Sequence, residues 1–172
     1  MYKRQVEEVT HLFDRVADEN CQKIIAACKA HHVPVIVDPK GTNWMKYAGA
    51  DYITPNLKEI NAVLPDPICN EDAPVEQAAR DVMKRFHLGS IIVTRSEAGL
   101  SFIREEEIKH IPTKAQEVFD VSGAGDTVIA VFAMGIAGGI APADSCCLAN
   151  LAAGVVVAKL GTYAVSREEL LK

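Results

Sequence analysis

The sequence predicts an α/β fold in which helices flank a mostly parallel β-sheet. Short apolar runs rich in β-branched residues alternate along the chain with longer amphipathic segments. Strands that are separated by helices usually pair in parallel through right-handed crossovers. With 172 residues, of which 49% are hydrophobic, the chain is long enough to bury the core of one domain.

The first part of the chain predicts a helix, two strands and a second helix. Residues 6–30 have helical composition, and the β-branched run 33–37 ends at an Asp-Pro pair, which predicts a strand. Residues 51–54 form a second short apolar run. Residues 57–64 have the spacing of an amphipathic helix, with Asn56 in the N-cap position.

The middle of the chain predicts another helix, a buried strand and a hairpin. Residues 73–87 are amphipathic with helical spacing, and residues 90–94 form an apolar strand. Residues 100–103 and 108–111 flank a charged turn, as expected for two antiparallel strands. Two or three further helices complete the chain, and no internal repeat or linker interrupts it.

The most informative stretch is residues 120–127, which runs directly into an apolar segment. Gly123 and Gly125 allow a ligand to approach the backbone closely, and the apolar run predicts a buried helix. Free N–H groups and the positive end of the helix dipole favour a phosphate at such an N-terminus. Asp126 lies in this first turn, either as a catalytic carboxylate or as an ordinary helix-capping residue.

Two common nucleotide motifs are excluded at this position. No Gly-Lys-Ser/Thr follows the glycines, and Val128 replaces the third glycine of a dinucleotide-binding loop. The segment resembles the Asp-Thr-x-Gly-Ala-Gly-Asp signature of the ribokinase, or PfkB, family of sugar kinases. Val121 and Ser122 stand at its second and third positions. The resemblance implies a ribokinase-like fold and ATP-dependent transfer of a phosphoryl group to a sugar hydroxyl.

The resemblance also assigns catalytic roles within this turn. It implies that Asp126 takes the proton from the acceptor hydroxyl. The backbone of Gly123, Ala124 and Gly125 would stabilise charge on the transferring group, because phosphoryl transfer depends mainly on positioning and electrostatic support.

Asn56 and Glu59 match the family's Asn-x-x-Glu element. The resemblance implies that Glu59 helps to hold Mg²⁺, through water, and that both residues help to organise the nucleotide phosphates. Mg²⁺ keeps several waters and takes few direct protein ligands, so one carboxylate near an amide is adequate. An N-cap asparagine with a solvent-exposed glutamate is the structural alternative.

A third match follows the predicted strand 90–94. Thr94, Arg95, Ser96 and Gly99 correspond to the family's Thr-x-Gly-x-x-Gly turn beside the nucleotide phosphates, with Ser96 where glycine is commoner. Arg95 adds a cation that would offset phosphate charge. Asn150 matches the asparagine that borders the adenine site in this family.

Further candidates are weaker. Asp38 and Lys40 follow the strand 33–37, and ligands bind beyond the carboxyl ends of parallel strands, although a loop lysine is usually just solvated. Some family members bind a monovalent cation, and the resemblance places Asp120, Ser122 and Ser166 at that site. Whether K⁺ binds here stays open.

Three segments together resemble the branch of the family that phosphorylates D-glycero-β-D-manno-heptose 7-phosphate in lipopolysaccharide-core biosynthesis: residues 37–41, 93–99 and 153–162. The resemblance assigns residues 21–172 to the C-terminal part of a ribokinase-like kinase domain, and residues 1–20 stay an unassigned leader. It implies that the family's N-terminal half and its acceptor lid are absent. A homo-oligomer, or a partner that supplies the missing half, is therefore expected.

Composition limits the remaining function classes. The net charge is −5 and no Lys/Arg cluster is interleaved with aromatic residues, so neither nucleic acid nor a membrane surface is an expected partner. Five scattered cysteines form no disulfide or zinc pattern, which, without a secretory signal, favours the cytoplasm. The expected partners are ATP and a sugar phosphate. A nucleotide-binding fragment without catalysis, and a kinase of another sugar or nucleoside, remain the alternatives.

Overall fold

A computed structural model describes residues 18–113 and 119–170. Its helices are α1 (18–30 within the described range), α2 (Leu57–Val63), α3 (Asp72–Phe86), α4 (Ala124–Ala137), α5 (Pro142–Val157) and α6 (Arg167–Leu170). Its strands are β1 (Ile36–Val37), β2 (Tyr52–Ile53), β3 (Ile91–Thr94), β4 (Leu100–Ile103) and β5 (Ile108–Ile111). Two short 3-10 helices, Trp44–Tyr47 and Ser96–Ala98, complete the order. The α/β alternation predicted from the sequence is confirmed.

The five strands form one mixed sheet in the order β1-β2-β3-β4-β5. The pairs β1/β2 and β2/β3 are parallel, while β3/β4 and β4/β5 are antiparallel. Four strands therefore run in one direction and only β4 runs in the other. The predicted hairpin is confirmed, with Leu100 opposite Ile111 and Ile103 opposite Ile108.

Strand β1 is shorter than the predicted segment 33–37 because its first residues are held differently. Pro34 has no N–H group to donate to a ladder. The Val35 N–H donates to the Asp51 carboxylate at 2.8 Å, rather than to a neighbouring strand. Regular pairing with β2 therefore begins only at Ile36.

The sheet separates two hydrophobic cores because successive strand residues point to opposite faces. Ile91 and Val93 pack on one face with α2, α3 and the Trp44 turn, whereas Ile92 packs on the other face with α4 and α5. Trp44 is fully buried in the first of these cores, where its ring centroid lies 5.9 Å from that of Phe86.

Helices α4 and α5 pack closely against each other on the second face. A Cβ added at Gly135 would lie 2.5 Å from the Ser145 Oγ, so glycine allows this approach. Both helices are very apolar, but they have only 14 and 16 residues, and a bilayer span needs about 20. Within the described ranges, no helix combines the length and hydropathy of a membrane span.

Candidate active site

The carboxyl ends of β1, β2 and β3 meet the N-terminus of α4 around a small polar cavity of about 150 Å³. Its lining residues come from four separate segments of the chain: Asp38, Lys40, Thr54, Asn56, Glu59, Thr94, Gly123, Gly125 and Asp126. The sequence predicted that the residues after these strands would converge, and the topology brings them together. We call this the polar cavity.

A larger cavity of about 400 Å³ adjoins it and shares Thr94 and Gly125 with its lining. The remaining walls are mainly apolar and come from β4, α4, α5 and the loops beside them: Ser96, Glu97, Gly99, Leu100, Thr113, Val121, Ala124, Val128, Asn150, Ala153, Gly154 and Val157. We call this the apolar cavity. A small-molecule site commonly has this form, with apolar walls and a few polar groups at one end.

The first turn of α4 presents free backbone donors between the two cavities. Gly123 has φ +78° and ψ 0°, a left-handed conformation that glycine adopts without strain. Its carbonyl accepts both the N–H and the hydroxyl of Thr127 at 2.9 Å. The N–H groups of Gly125 and Asp126 make no hydrogen bond to the described part of the chain. Two amides at the positive end of a helix thus remain available to an anion.

The Asp126 side chain is exposed and lines the polar cavity. It forms no hydrogen bond or ion pair with residues 18–113 or 119–170, and no side chain caps α4. A capping carboxylate would accept a hydrogen bond from the first turn. The geometry therefore favours the catalytic over the capping interpretation of Asp126.

Asn56 and Glu59 form a capping box at the start of α2. The Glu59 N–H donates to the Asn56 Oδ1 at 2.9 Å, and the Asn56 N–H donates to the Glu59 Oε2 at 2.8 Å. Asn56 and Glu59 therefore do cap the helix, which was the alternative to a role in binding magnesium. The two roles are compatible, because the box does not use Glu59 Oε1, which accepts from the Lys40 Nζ at 3.5 Å in the lining of the polar cavity.

Lys40 is held by carboxylates at the rim of the polar cavity. Its Nζ lies 2.8 Å from Asp38 Oδ2, and this hydrogen bond is the main reason that the pKa of Lys40 is raised. The cavity therefore contains one ammonium and the carboxylates of Asp38, Glu59 and Asp126. An excess of carboxylate oxygen fits a hard cation such as Mg²⁺.

The part of the chain that the structure describes contains no dedicated chelating cluster. In the described ranges, no three His, Cys, Asp or Glu side chains are grouped closely enough to hold a metal ion. Mg²⁺ accepts such a setting because it keeps several waters and shares ligands with phosphate oxygens. The polar cavity therefore suits a magnesium ion that arrives with a nucleotide.

The residues of the turn after β3 have two different environments: some line the apolar cavity, and one is buried in the protein interior. Thr94, Ser96 and Gly99 line the apolar cavity, but Arg95 does not. The Arg95 side chain is buried and its guanidinium donates to Asn70, Asp72 and Ser101. This geometry does not support the predicted contact between Arg95 and phosphate.

Asn150 lies on α5 in the wall of the apolar cavity. It is buried, and its Nδ2 donates to the Pro112 carbonyl at 2.9 Å, just after β5. The side chain thus ties the helix wall to the sheet wall. Its predicted place beside a base stays a prediction.

The three residues predicted to hold a monovalent cation line neither cavity. Asp120 accepts the N–H of Ser122 at 2.9 Å and that of Gly161 at 3.2 Å, and the Ser122 amide chiefly lowers the pKa of Asp120. Ser166 forms a reciprocal cap with Glu169 at the start of α6. Both residues therefore have structural roles, and K⁺ binding remains a prediction.

The Ser166 cap predicts a pH dependence of stability. The Ser166 N–H, above all, lowers the pKa of Glu169 to about 2. The stabilisation is therefore complete above the ordinary glutamate pKa of about 4.3 and is lost as the pH falls towards 2.

We expect Glu169→Gln to flatten the decline of the unfolding temperature between pH 4.5 and about 2. Thermal unfolding followed by circular dichroism measures this slope. Glu168→Gln is the matched control, because Glu168 forms no hydrogen bond within the described ranges. Equal slopes in wild type and Glu169→Gln would contradict the assignment.

Several lining residues were not predicted from the sequence. Thr54 follows β2 directly, so the rule that selected Asn56 would have found it. Glu97 lies inside the motif that supplied Ser96. The apolar residues Val121 and Val128 carry no chemical signal in the sequence, since apolar side chains also fill ordinary cores.

The fold and the site together define a ribokinase-like α/β protein whose two cavities meet at a helix N-terminus. Residues 4–169 match the pfkB family carbohydrate kinase profile. The chain therefore belongs to the PfkB family of carbohydrate kinases, as the Gly-Ala-Gly-Asp segment predicted.

The curated relatives include proteins named bifunctional protein HldE. The protein from Vibrio vulnificus is 47% identical over 153 residues, which cover 88% of this chain and 32% of that protein. The proteins from Syntrophotalea carbinolica and Trichlorobacter lovleyi are 44% and 48% identical, covering 90% and 86% of this chain. The chain spans about a third of the length of these relatives.

Solved structures of similar fold include a ribokinase from Thermotoga maritima. It is 28% identical with a TM-score of 0.74, over 86% of this chain and 51% of that one. Phosphofructokinase-2 from Escherichia coli, in complex with potassium, has a TM-score of 0.79 at 17% identity, over 90% of this chain and 50% of that one. The second likeness shows the fold alone.

Proposed function

We propose that this chain provides the nucleotide-binding and catalytic part of an ATP-dependent sugar kinase. One observation carries the proposal: the free Asp126 carboxylate and the free amides of Gly125 and Asp126 share an open cavity that continues into the apolar cavity. A base, an anion-binding turn and a nucleotide-sized pocket are the parts that phosphoryl transfer requires.

In the proposed reaction, Asp126 accepts the proton of the acceptor hydroxyl while that oxygen bonds to the γ-phosphorus of ATP. The bond between this phosphorus and the β–γ bridging oxygen breaks, and ADP leaves. The amides of the α4 first turn stabilise negative charge on the transferring phosphoryl group. Asn56 and Glu59 would hold Mg²⁺, Glu59 through water. The ion would neutralise phosphate charge.

The acceptor that we propose is D-glycero-β-D-manno-heptose 7-phosphate, converted to the 1,7-bisphosphate in lipopolysaccharide-core heptose biosynthesis. Residues 37–41, 93–99 and 153–162 resemble kinases of that branch. The identity of 44–48% to proteins named HldE supports the same branch. The proposed setting is the cytoplasm, with no nucleic-acid or membrane partner.

Two measurements test the proposal. Calorimetry should detect Mg-ATP binding, and a coupled ADP assay should detect turnover with the heptose phosphate but not with ribose, fructose 6-phosphate or adenosine. Binding without turnover on any acceptor would instead indicate a nucleotide-binding module. Absence of Mg-ATP binding would overturn the proposal, and repeating the titration with KCl tests for K⁺.

We expect Ala153→Phe to weaken Mg-ATP binding at least tenfold. Ala153 is half-buried on α5 in the wall of the apolar cavity, so a phenyl ring would occupy space assigned to the base. Isothermal titration calorimetry gives the dissociation constant. Ala137→Phe makes the same change at an exposed residue of α4 and should leave affinity unchanged. Equal affinities in both variants would place the nucleotide elsewhere.

A further inference from the structure

A buried arginine lies behind the wall of the apolar cavity. Arg95 is 3% exposed and is the one charged residue of the buried set within the described ranges. Its Nη1 donates to Ser101 Oγ at 2.9 Å and to the Asp72 carboxylate. A buried guanidinium is tolerated only when its donors are satisfied, which this network achieves.

Asn70 holds both the side chain and the main chain of Arg95. Its Oδ1 accepts from Arg95 Nε at 2.9 Å, and its carbonyl accepts from Nη2 at 3.2 Å. Its Nδ2 donates to the Arg95 carbonyl at 3.0 Å. Asn70 precedes α3 and does not line the apolar cavity, so it holds Arg95 without forming part of the cavity wall. We call the hydrogen bonds between Asn70 and Arg95 the clamp.

The clamped turn has an unfavourable backbone conformation. Ser96 has φ +52°, a left-handed value that costs a non-glycine residue free energy. The Arg95 N–H donates to the Gly99 carbonyl at 2.8 Å, and the Arg95 carbonyl accepts from Ala98 at 3.0 Å. Ser96, Glu97 and Gly99 line the apolar cavity, so holding Arg95 fixes the shape of that wall.

The network also reaches a second wall of the cavity. Ser101 Oγ accepts a hydrogen bond from Arg95, so its own hydroxyl group can donate to His110 Nδ1 at 2.8 Å. His110 lies on β5, two residues before Pro112, whose carbonyl accepts from Asn150. One set of side chains therefore connects the turn after β3 with the segment after β5.

We propose that Arg95 and Asn70 are positioning residues for nucleotide binding, which hold the Ser96–Gly99 turn in the conformation that forms the cavity wall. The inference rests on the proposed function, since it needs the apolar cavity to bind a nucleotide. Arg95 acts through the turn that it fixes and does not touch the phosphates.

Asn70→Ala tests the clamp without removing the buried guanidinium, which keeps Asp72 and Ser101 as partners. We expect the dissociation constant of Mg-ATP to rise about fivefold, the equivalent of one net hydrogen bond. Turnover at saturating ATP should stay unchanged. Hydrogen exchange at the amides of Ala98 and Gly99 should accelerate, because their acceptors belong to the released turn.

Arg85→Ala is the matched control. Arg85 also ties α3 to another element, through an Nη1 hydrogen bond of 2.8 Å to the Val63 carbonyl, but it lines neither cavity. It should lower the unfolding temperature without changing Mg-ATP affinity. Arg95→Lys should behave like Asn70→Ala, because an ammonium cannot reproduce the planar guanidinium fork.

The outcomes separate this inference from the proposed function. A wild-type chain that does not bind Mg-ATP overturns both. Wild-type binding with unchanged affinity in Asn70→Ala overturns the positioning role alone. If Arg85→Ala lowers Mg-ATP affinity as much as Asn70→Ala does, the clamp only stabilises the fold in general. That result would also overturn the positioning role.

Discussion

Replacing Asp126 by asparagine is expected to lower turnover by about 10²–10⁴-fold, the usual contribution of general base catalysis. Asparagine keeps the shape of the side chain but cannot accept the proton of the acceptor hydroxyl. The Asp126 side chain makes no hydrogen bond within the described part of the chain, so the substitution removes no internal side-chain contact. The unfolding temperature and the dissociation constant of Mg-ATP should therefore stay close to those of the wild type.

Asp144→Asn is the matched control for this prediction. Asp144 is also an acidic residue in the first turn of a helix, but it lies on α5 outside both cavities. Turnover should be unchanged in this variant. A coupled ADP assay at saturating ATP and heptose 7-phosphate compares the two. Undiminished turnover in Asp126→Asn would remove the assigned role of that carboxylate.

Replacing Gly99 by alanine is expected to cost about 3 kcal/mol or more of unfolding free energy. Gly99 has φ +82° and ψ −126°, a combination open only to glycine. A Cβ there would lie 2.1 Å from the Ile111 carbonyl oxygen and 2.6 Å from the Thr113 nitrogen. Both atoms belong to the backbone, so no side chain can rotate to relieve the overlap, and β5 must move.

Gly139→Ala separates the free-energy cost of the left-handed backbone conformation from the cost of the steric overlap. Gly139 also has a left-handed φ of +77°, but an added Cβ meets no atom within 4 Å. Its expected cost is about 1–2 kcal/mol, the penalty of the conformation alone. Urea unfolding at one temperature gives both free energies. Equal costs for the two variants would show that the close approach of Gly99 to β5 is not tight in solution.

The sequence predicted the parts of the fold whose signals are local. The β-branched run at 90–94 and the hairpin strands at 100–103 and 108–111 carry their own pattern, and the structure has them within a residue. The start of α4 was equally readable, because the glycines before an apolar run mark a helix N-terminus that backbone N–H groups leave open.

Arg95 shows a limit of reasoning from local sequence patterns. It stands between Thr94 and Ser96, two residues that line the apolar cavity. The family motif that contains all three predicted that the positive charge of Arg95 would offset phosphate charge. Its partners Asn70 and Asp72 are more than twenty residues away, and no local pattern places them beneath the turn. The same limit applies to Val121, which lines the apolar cavity together with residues of β4 and α5 that are distant from it in the sequence.

By itself, then, the sequence determined the order of helices and strands, the helix N-terminus that carries Asp126, and membership of the PfkB family. These follow from residues near one another in the chain, whose backbone preferences and hydrophobic spacing act locally. Only the tertiary structure decided that Arg95 points inward and which residues enclose the two cavities. Side-chain direction and enclosure depend on contacts between distant segments, which packing alone fixes.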